Sequence, residues 1–146
     1  MTVETVKDSH LQAVASLEKL CFHEPWSASA LQLLLTEQAT GAVCLEDGAV
    51  VAYGGMLWAP DEGQITNIAV LPDARRHGYG SAVLRELLNR AKERNCAQIS
   101  LEVRESHVAA IALYERFGFA VAGRRKHFYR QPSEDALVMI CRLNEE

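Results

Sequence analysis

The order of elements in this chain predicts an α/β fold with a mixed central sheet flanked by helices. Three observations carry that expectation. Two stretches with helical apolar spacing open the chain. A run of strands separated by Asp-Gly and Glu-Gly turns follows, as in an antiparallel meander. From Ile65 onward strands alternate with helices, the pattern of strand–helix–strand units. With 146 residues and 49% hydrophobic content, one domain is expected, large enough to bury roughly 68–70% of its unfolded surface.

Thr2 to Lys7 alternates enough for a short first strand. Asp8 or Ser9 caps a helix bearing Leu11, Val14, Leu17, Leu20 and Cys21. Glu24-Pro25-Trp26-Ser27 breaks it, because Pro25 biases Glu24 away from helical backbone. Ser27 caps a second helix through Leu31, Leu34 and Leu35, which Gly41 closes. Trp26 has two readings: core filler, or one wall of a binding groove at the linker between two helices. Ala42 to Leu45 is a strand, Glu46-Asp47-Gly48 a hairpin turn, and Ala49 to Trp58 the next strand. Gly54-Gly55 within it marks a bulge or a close backbone approach. Asp61-Glu62-Gly63 turns into the strand that starts at Ile65.

That strand stops at Pro72, which cannot donate to a sheet ladder. Beyond the glycines Gly78 and Gly80, Ala82, Val83, Leu87, Leu88 and Ala91 stripe a helix ending near Asn95. Gln98 to Arg104 then alternates, with Ile99, Leu101 and Val103 facing one way and Ser100, Glu102 and Arg104 the other. A sheet covered on both faces is apolar at both parities, so this polar parity opens onto solvent or a cleft. Ser106 caps a helix carrying Val108, Ala109, Ile111, Ala112, Leu113 and Tyr114, with Gly118 as a left-handed end. Phe119–Ala122 and Ala136–Leu143 form a closing strand pair. Gly123-Arg124-Arg125-Lys126-His127 and the Gln131-Pro132-Ser133 loop lie between them.

The junction between strand and helix carries chemistry. Gly78 and Gly80 let backbone N–H groups approach a ligand. The helix behind them brings unpaired N–H groups and a partial positive charge. With Arg75 and Arg76 beside them, the loop reads as an anion seat, best suited to a pyrophosphate. A phosphate-binding P-loop needs Gly-Lys-Ser/Thr, whereas Ser81 and Ala82 follow Gly80. A dinucleotide fingerprint needs a third glycine where Val83 stands and a first glycine directly after the strand. Glu102, about 20 residues on, keeps a ribose-binding reading open.

Composition narrows the function classes. A net charge of −4 argues against bulk nucleic-acid binding, which leaves a basic footprint. The run Arg124-Arg125-Lys126-His127 is accordingly read as a solvated strand end, with an acidic partner or the 3′-phosphate of coenzyme A as the other reading. No stretch approaches the ~18 apolar residues of a membrane span, and no basic–apolar leader opens the sequence, so a cytoplasmic protein without membrane contact is expected. Cys21, Cys44, Cys96 and Cys141 lack paired spacing and read as free thiols, and no metal site is expected.

Arg75-x-x-Gly78-x-Gly80 resembles the acetyl-CoA loop of the GNAT superfamily, the Gcn5-related N-acetyltransferases. Leu101-Glu102-Val103-Arg104, followed by Leu113-Tyr114 and Gly118-Phe119, resembles the signature of its bacterial ribosomal-protein N-terminal acetyltransferases, the RimI type. Pro25-Trp26-Ser27, Asn67-Ile68-Ala69-Val70 and Glu134-Asp135-Ala136 are similar to that type as well. The resemblance spans nearly the whole chain and implies a GNAT fold over 1–146, with acetyl-CoA in a cleft between central strands. It implies acetyl transfer to a protein N-terminus, that type's named acceptor being the N-terminal alanine of the eighteenth small-subunit ribosomal protein.

Such chemistry needs a neutral amine, and a peptide α-amine has a pKa near 7.7–8.0. A carboxylate, directly or through one water, can take its proton. The resemblance gives this role to Glu102, whose plain reading is a surface carboxylate paired with Arg104. It gives Tyr114 the role of proton donor to the departing thiolate, its plain reading being a half-buried aromatic with a satisfied hydroxyl. It assigns Ile68, Ala69 and Val70 to the pantetheine arm through strand-edge backbone bonds, and Arg76, His77, Gly78, Tyr79, Gly80 and Ser81 to the pyrophosphate. His107 stands where the family usually has a cofactor-contacting Asn, and imidazole can donate the same bond. Phe128-Tyr129 replaces a usual Tyr-Tyr pair, and Arg75 a commoner Gln. The acceptor peptide is expected between Trp26 and Tyr129. Two rivals stand: the same chemistry on another amine (lysines, small amines or many N-termini), and a non-catalytic acyl-CoA-binding module.

Overall fold

The computed structural model describes residues 1–143. Strands β1 (Thr2–Thr5), β2 (Ala39–Glu46), β3 (Ala49–Ala59) and β4 (Glu62–Val70) form an antiparallel half-sheet. Helices α1 (Leu11–Cys21) and α2 (Ala28–Leu31) are inserted between β1 and β2. Helix α3 (Tyr79–Glu93) leads from β4 to β5 (Gln98–Arg104), and α4 (Val108–Arg116) leads to the hairpin of β6 (Ala120–Arg130) and β7 (Ser133–Arg142). The seven strands lie in the order β1-β2-β3-β4-β5-β7-β6, and only β4 and β5 run parallel.

The sheet is covered on both faces, which explains why β2 and β3 are nearly continuously apolar. Leu11, Val14, Leu17, Leu31 and Leu34 pack with Val43, Tyr53 and Ala69 on one face. Val83, Leu84, Leu87 and Tyr114 pack with Ala42, Cys44, Ala52 and Ile99 on the other. Neighbouring residues such as Ala42 and Val43, or Ala52 and Tyr53, go to opposite cores because side chains alternate along a strand.

The feature that builds the site is the failure of β4 and β5 to stay paired. Their ladder consists of Glu62–Gln98, Gly63–Ile99 and Gln64–Ser100. Beyond it Ile65–Val70 and Leu101–Arg104 diverge, and the facing edges are left unpaired. A bulge lies at the divergence: Gly55 opposes Asn67 while Met56 opposes Ile65, so Thr66 is the extra residue. Both meanings of Gly54-Gly55 hold here. A Cβ on Gly55 would stand 2.6 Å from Thr66 Oγ1, and one on Gly54 2.6 Å from Val83 Cγ1 of α3.

Several local expectations are corrected. A 3₁₀ turn at Asp8–His10 precedes α1, and His10 Nδ1 accepts from Lys7 N–H at 3.0 Å, so neither Asp8 nor Ser9 caps it. Ser27 does cap α2, accepting from Ala30 N–H at 3.0 Å, but the helix passes into a 3₁₀ turn ending at Leu35 and Gly41 lies inside β2. The turn into β4 is Pro60-Asp61, and Glu62-Gly63 already pair in the sheet. Residue His107, not Ser106, is the N-cap of α4 and makes no side-chain cap bond, while Ser106 N–H donates to Glu134 Oε2 at 2.7 Å. Strand β6 runs on past Ala122 through Gly123–His127 to Arg130, with bulges at Val121/Gly123 and Arg125/Tyr129, and Gln131-Pro132 is the turn into β7, which starts at Ser133. The Asp47-Gly48 hairpin turn and the left-handed Gly118 are as expected, with φ of 51°, 81° and 94°.

Candidate active site

Two adjoining cavities open where β4 and β5 part. The larger, about 500 Å³, is bounded by Phe22 and Trp26 of the α1–α2 linker, Asn67 of β4, Glu102 of β5 and Tyr129 of β6. The smaller, about 80 Å³, runs deeper between Ile68, Val103 and Tyr114. Glu102, Arg104, His107 and Tyr129 line both, so the two form one path into the sheet.

Glu102 sits where its parity predicts. Ile99, Leu101 and Val103 are buried, while Ser100, Glu102 and Arg104 are partly open. The expected pairing with Arg104 does not form. Arg104 turns to the β6–β7 hairpin, donating to Glu134 Oε1 (3.2 Å), Pro132 O (2.9 Å) and Gln131 O (3.0 Å), with its guanidinium over the Tyr129 ring. Glu102 instead has Arg125 Nε at 3.4 Å from Oε1. Arg125 is on the outermost strand and 59% exposed, so this pair is of the weak surface kind.

Tyr114 projects from α4 into the smaller cavity and is 7% exposed. Its hydroxyl has no hydrogen-bond partner among the described residues, contrary to the satisfied O–H of the plain reading. No unpaired side-chain polar atom is fully buried, so that hydroxyl reaches the cavity surface. Burial, and then the nearby Tyr129, push its pKa well above the ordinary tyrosine range, which keeps the proton on oxygen. Tyr129 is pushed up to about 12, first by desolvation and then by Glu102. His107, at the N-cap of α4, is held below the usual imidazole range by desolvation and the Arg75 and Arg104 charges.

The glycine loop lies at the other end of β4. Gly78 caps α3 with φ of 81°, and a Cβ there would meet nothing within 4 Å, so the space before the helix is open. The first bond of the helix end is Ala82 N–H to Gly78 O at 3.0 Å. The N–H groups of Gly78, Tyr79, Gly80 and Ser81 have no partner among the described residues. They are the orphan donors that an anion satisfies. Arg76 (φ 69°) and His77 are exposed beside them, while Tyr79 turns its hydroxyl to Glu46 Oε2 at 2.6 Å. Ile68, Ala69 and Val70 pair with β3 on one side and, past the divergence, have no strand on the other. The structure therefore brings Glu102, Tyr114, His107, Trp26 and Tyr129 around one opening and sets Arg76–Ser81 at the far end of the same strand.

Glu18 was not among the expected site residues. It is fully buried on α1 and bonds to Trp26 and Asn67 of the larger cavity. The sequence did carry a signal, since Glu18 interrupts the apolar stripe Leu11–Val14–Cys21 at a core-facing position.

Comparison with known proteins agrees with this geometry. Residues 11–119 match the model of the Acetyltransferase (GNAT) family. The [ribosomal protein bS18]-alanine N-acetyltransferase of Escherichia coli (strain K12) is 34% identical over 140 residues, covering 94% of this chain and 95% of that protein. A Bacillus subtilis (strain 168) protein given the same name provisionally is 34% identical over 145 residues, covering 98% and 96%. The crystal structure of the Escherichia coli ribosomal-protein-S18-alanine N-acetyltransferase superposes with a TM-score of 0.91 at 32% identity, covering 99% of this chain and 95% of that one.

Proposed function

This chain belongs to the GNAT acetyltransferase family, and from that premise we propose that it acetylates the N-terminal α-amine of a protein, with the alanine N-terminus of ribosomal protein bS18 as its acceptor. The observation that carries the reading is the pairing of an unbonded, proton-holding Tyr114 hydroxyl with the Glu102 carboxylate around one opening in the sheet. Relatives named for bS18 over nearly the full length support the acceptor.

Acetyl-CoA is the family's acetyl donor. The open, donor-rich start of α3 fits its pyrophosphate, held by the N–H groups from Gly78 to Ser81 with Arg76 and His77 alongside. The unpaired edge of Ile68–Val70 offers backbone groups to the pantetheine arm, which then points into the smaller cavity. His107, at the start of α4, lines this cavity, which supports a hydrogen bond from its imidazole to the cofactor. The peptide enters through the larger cavity, between Trp26 and Tyr129.

The transfer follows. The α-ammonium gives a proton to Glu102, directly or through one water, and the neutral nitrogen attacks the thioester carbonyl. The C–N bond forms, the C–S bond breaks, the thiolate takes the proton of the Tyr114 hydroxyl, and the second nitrogen proton, lost as the amide forms, passes through water to restore the phenol. An α-amine suits a single carboxylate base, since an ε-amine costs about 3 kcal/mol more to deprotonate.

The test compares a short alanine-initiated peptide with the same peptide blocked at its N-terminus and carrying an internal lysine. Mass spectrometry should show acetylation of the first and little of the second. Equal labelling would favour a lysine acceptor, and no thiol release with any amine would return the chain to acyl-CoA binding alone.

A further inference from the structure

We propose that Glu18 is a positioning residue of the acceptor site, holding the two walls of the larger cavity in register from beneath. The proposal rests on the reading that the acceptor enters between Trp26 and Tyr129. Glu18 is 0% exposed, yet it forms no ion pair among the described residues. Three groups from three parts of the chain converge on its carboxylate. Trp26 N–H donates to Oε1 at 2.8 Å, and Asn67 Nδ2 to Oε2 at 2.9 Å and Oε1 at 3.2 Å. The Tyr53 hydroxyl donates to Oε2 from β3.

A merely structural role does not account for this choice of residue. Burying a carboxylate is costly even when every lone pair is satisfied, and an apolar side chain of similar volume is often as stable. The helical stripe on either side of Glu18 is apolar, so a leucine would fit its pattern. What leucine cannot supply is an acceptor for Trp26 and Asn67. Residues 22–27 belong to no helix or strand, so the linker bearing Trp26 has few backbone bonds to fix it. Asn67 lies beside the bulge at Thr66, where β4 has just lost its partner β5. The linker wall is therefore weakly held by secondary structure, the β4 wall is paired on the β3 side only, and one buried carboxylate ties the two together.

The test uses Glu18→Leu and the conservative Glu18→Gln, which keeps one acceptor oxygen. With the alanine-initiated peptide, Glu18→Leu should raise the peptide KM by roughly tenfold or more, as expected when a site is displaced by a fraction of an ångström. The acetyl-CoA KM should stay within about twofold, since the loop at α3 does not touch Glu18, and Glu18→Gln should fall between wild type and Glu18→Leu. A lowered Tm with an unchanged peptide KM would overturn the proposal, as would an equal rise in both KM values. If Glu18→Leu does not fold, Glu18→Gln decides by the same split between the two substrates. A wild-type enzyme that acetylates no peptide N-terminus would strike at the acceptor reading instead.

Discussion

Tyr114→Phe separates chemistry from packing more cleanly than any other substitution in this site. It removes one oxygen from a side chain that is 7% exposed. The ring meets Phe119 at 5.7 Å between centroids, a contact that phenylalanine keeps. The lost hydroxyl forms no hydrogen bond among the described residues, so no partner is stranded. Stability should therefore change by no more than ~0.5 kcal/mol. The effect on chemistry is expected to be far larger. A positioned general acid contributes ~10²–10⁴-fold, which is ~2.7–5.4 kcal/mol at 1.36 kcal/mol per decade. The pKa shift adds a second signature. Because the phenol is raised by burial, Tyr114 stays protonated through the ordinary tyrosine pKa of about 10 and contributes no alkaline loss of activity below it. The assay is single-turnover transfer to an alanine-initiated peptide, with saturating acetyl-CoA so that chemistry limits the rate. A Tyr114→Phe enzyme with the wild-type single-turnover rate would refute the reasoning and leave the hydroxyl without a role.

Three further outcomes are expected. Glu102→Gln should slow transfer by ~10²–10⁴-fold with acetyl-CoA affinity nearly intact, and activity should partly return at high pH where the amine is already neutral; full activity at pH 7 refutes the base. Gly80→Val should weaken acetyl-CoA binding at least tenfold, ~1.4 kcal/mol, by calorimetry. A Cβ there already stands 3.3 Å from Val70 Cγ2 and 3.7 Å from Leu113 Cδ2, and unchanged affinity in a folded variant would end the phosphate-seat reading. Glu134 is held below the usual carboxyl range, first by the Ser106 hydrogen bond and further by Arg104. Its folded pKa is thus below its unfolded one, so its stabilisation is present above the unfolded value near 4.3 and lost as pH falls through the folded value. The Tm gap between wild type and Glu134→Gln should be open at pH 7 and narrow steadily as the pH is lowered below the unfolded value, and a gap that does not narrow in acid would refute the linkage.

How much of this was legible in the sequence depended on whether a residue's role is local. The alternation of Gln98–Arg104 encoded a buried and an open parity, and the structure reproduces it residue by residue. Gly54-Gly55 and the Asp47-Gly48 turn were legible because backbone sterics leave few alternatives. The start of α4 was not legible, because its N-cap is His107, one residue past Ser106, and no side-chain cap bond marks it. The continuous β6 was missed for a different reason. It is an edge strand exposed along nearly all of its length, so it carries no apolar alternation to read, and its two bulges break what register there is. The same strand supplies Arg125, which is why the partner of Glu102 could not be assigned from the chain.

On the proposed reading Glu102 and Tyr114 need opposite protonation behaviour, and both line the opening where β4 diverges from β5. A donor to a thiolate must hold its proton until the C–S bond breaks, and burial of Tyr114, whose ring meets Phe119, suits it to that proposed role. A base must instead be reachable by an incoming ammonium. Glu102 stands on the open parity at the junction of the cavities, and its cation is an exposed arginine worth only ~0–1 kcal/mol. An acceptor's α-ammonium can displace such a partner more readily than the Arg104–Glu134 pair, which is less exposed and backed by the Pro132 and Gln131 carbonyls. The hairpin thus takes Arg104 away from the proposed base and leaves it only the exposed Arg125 as a cation.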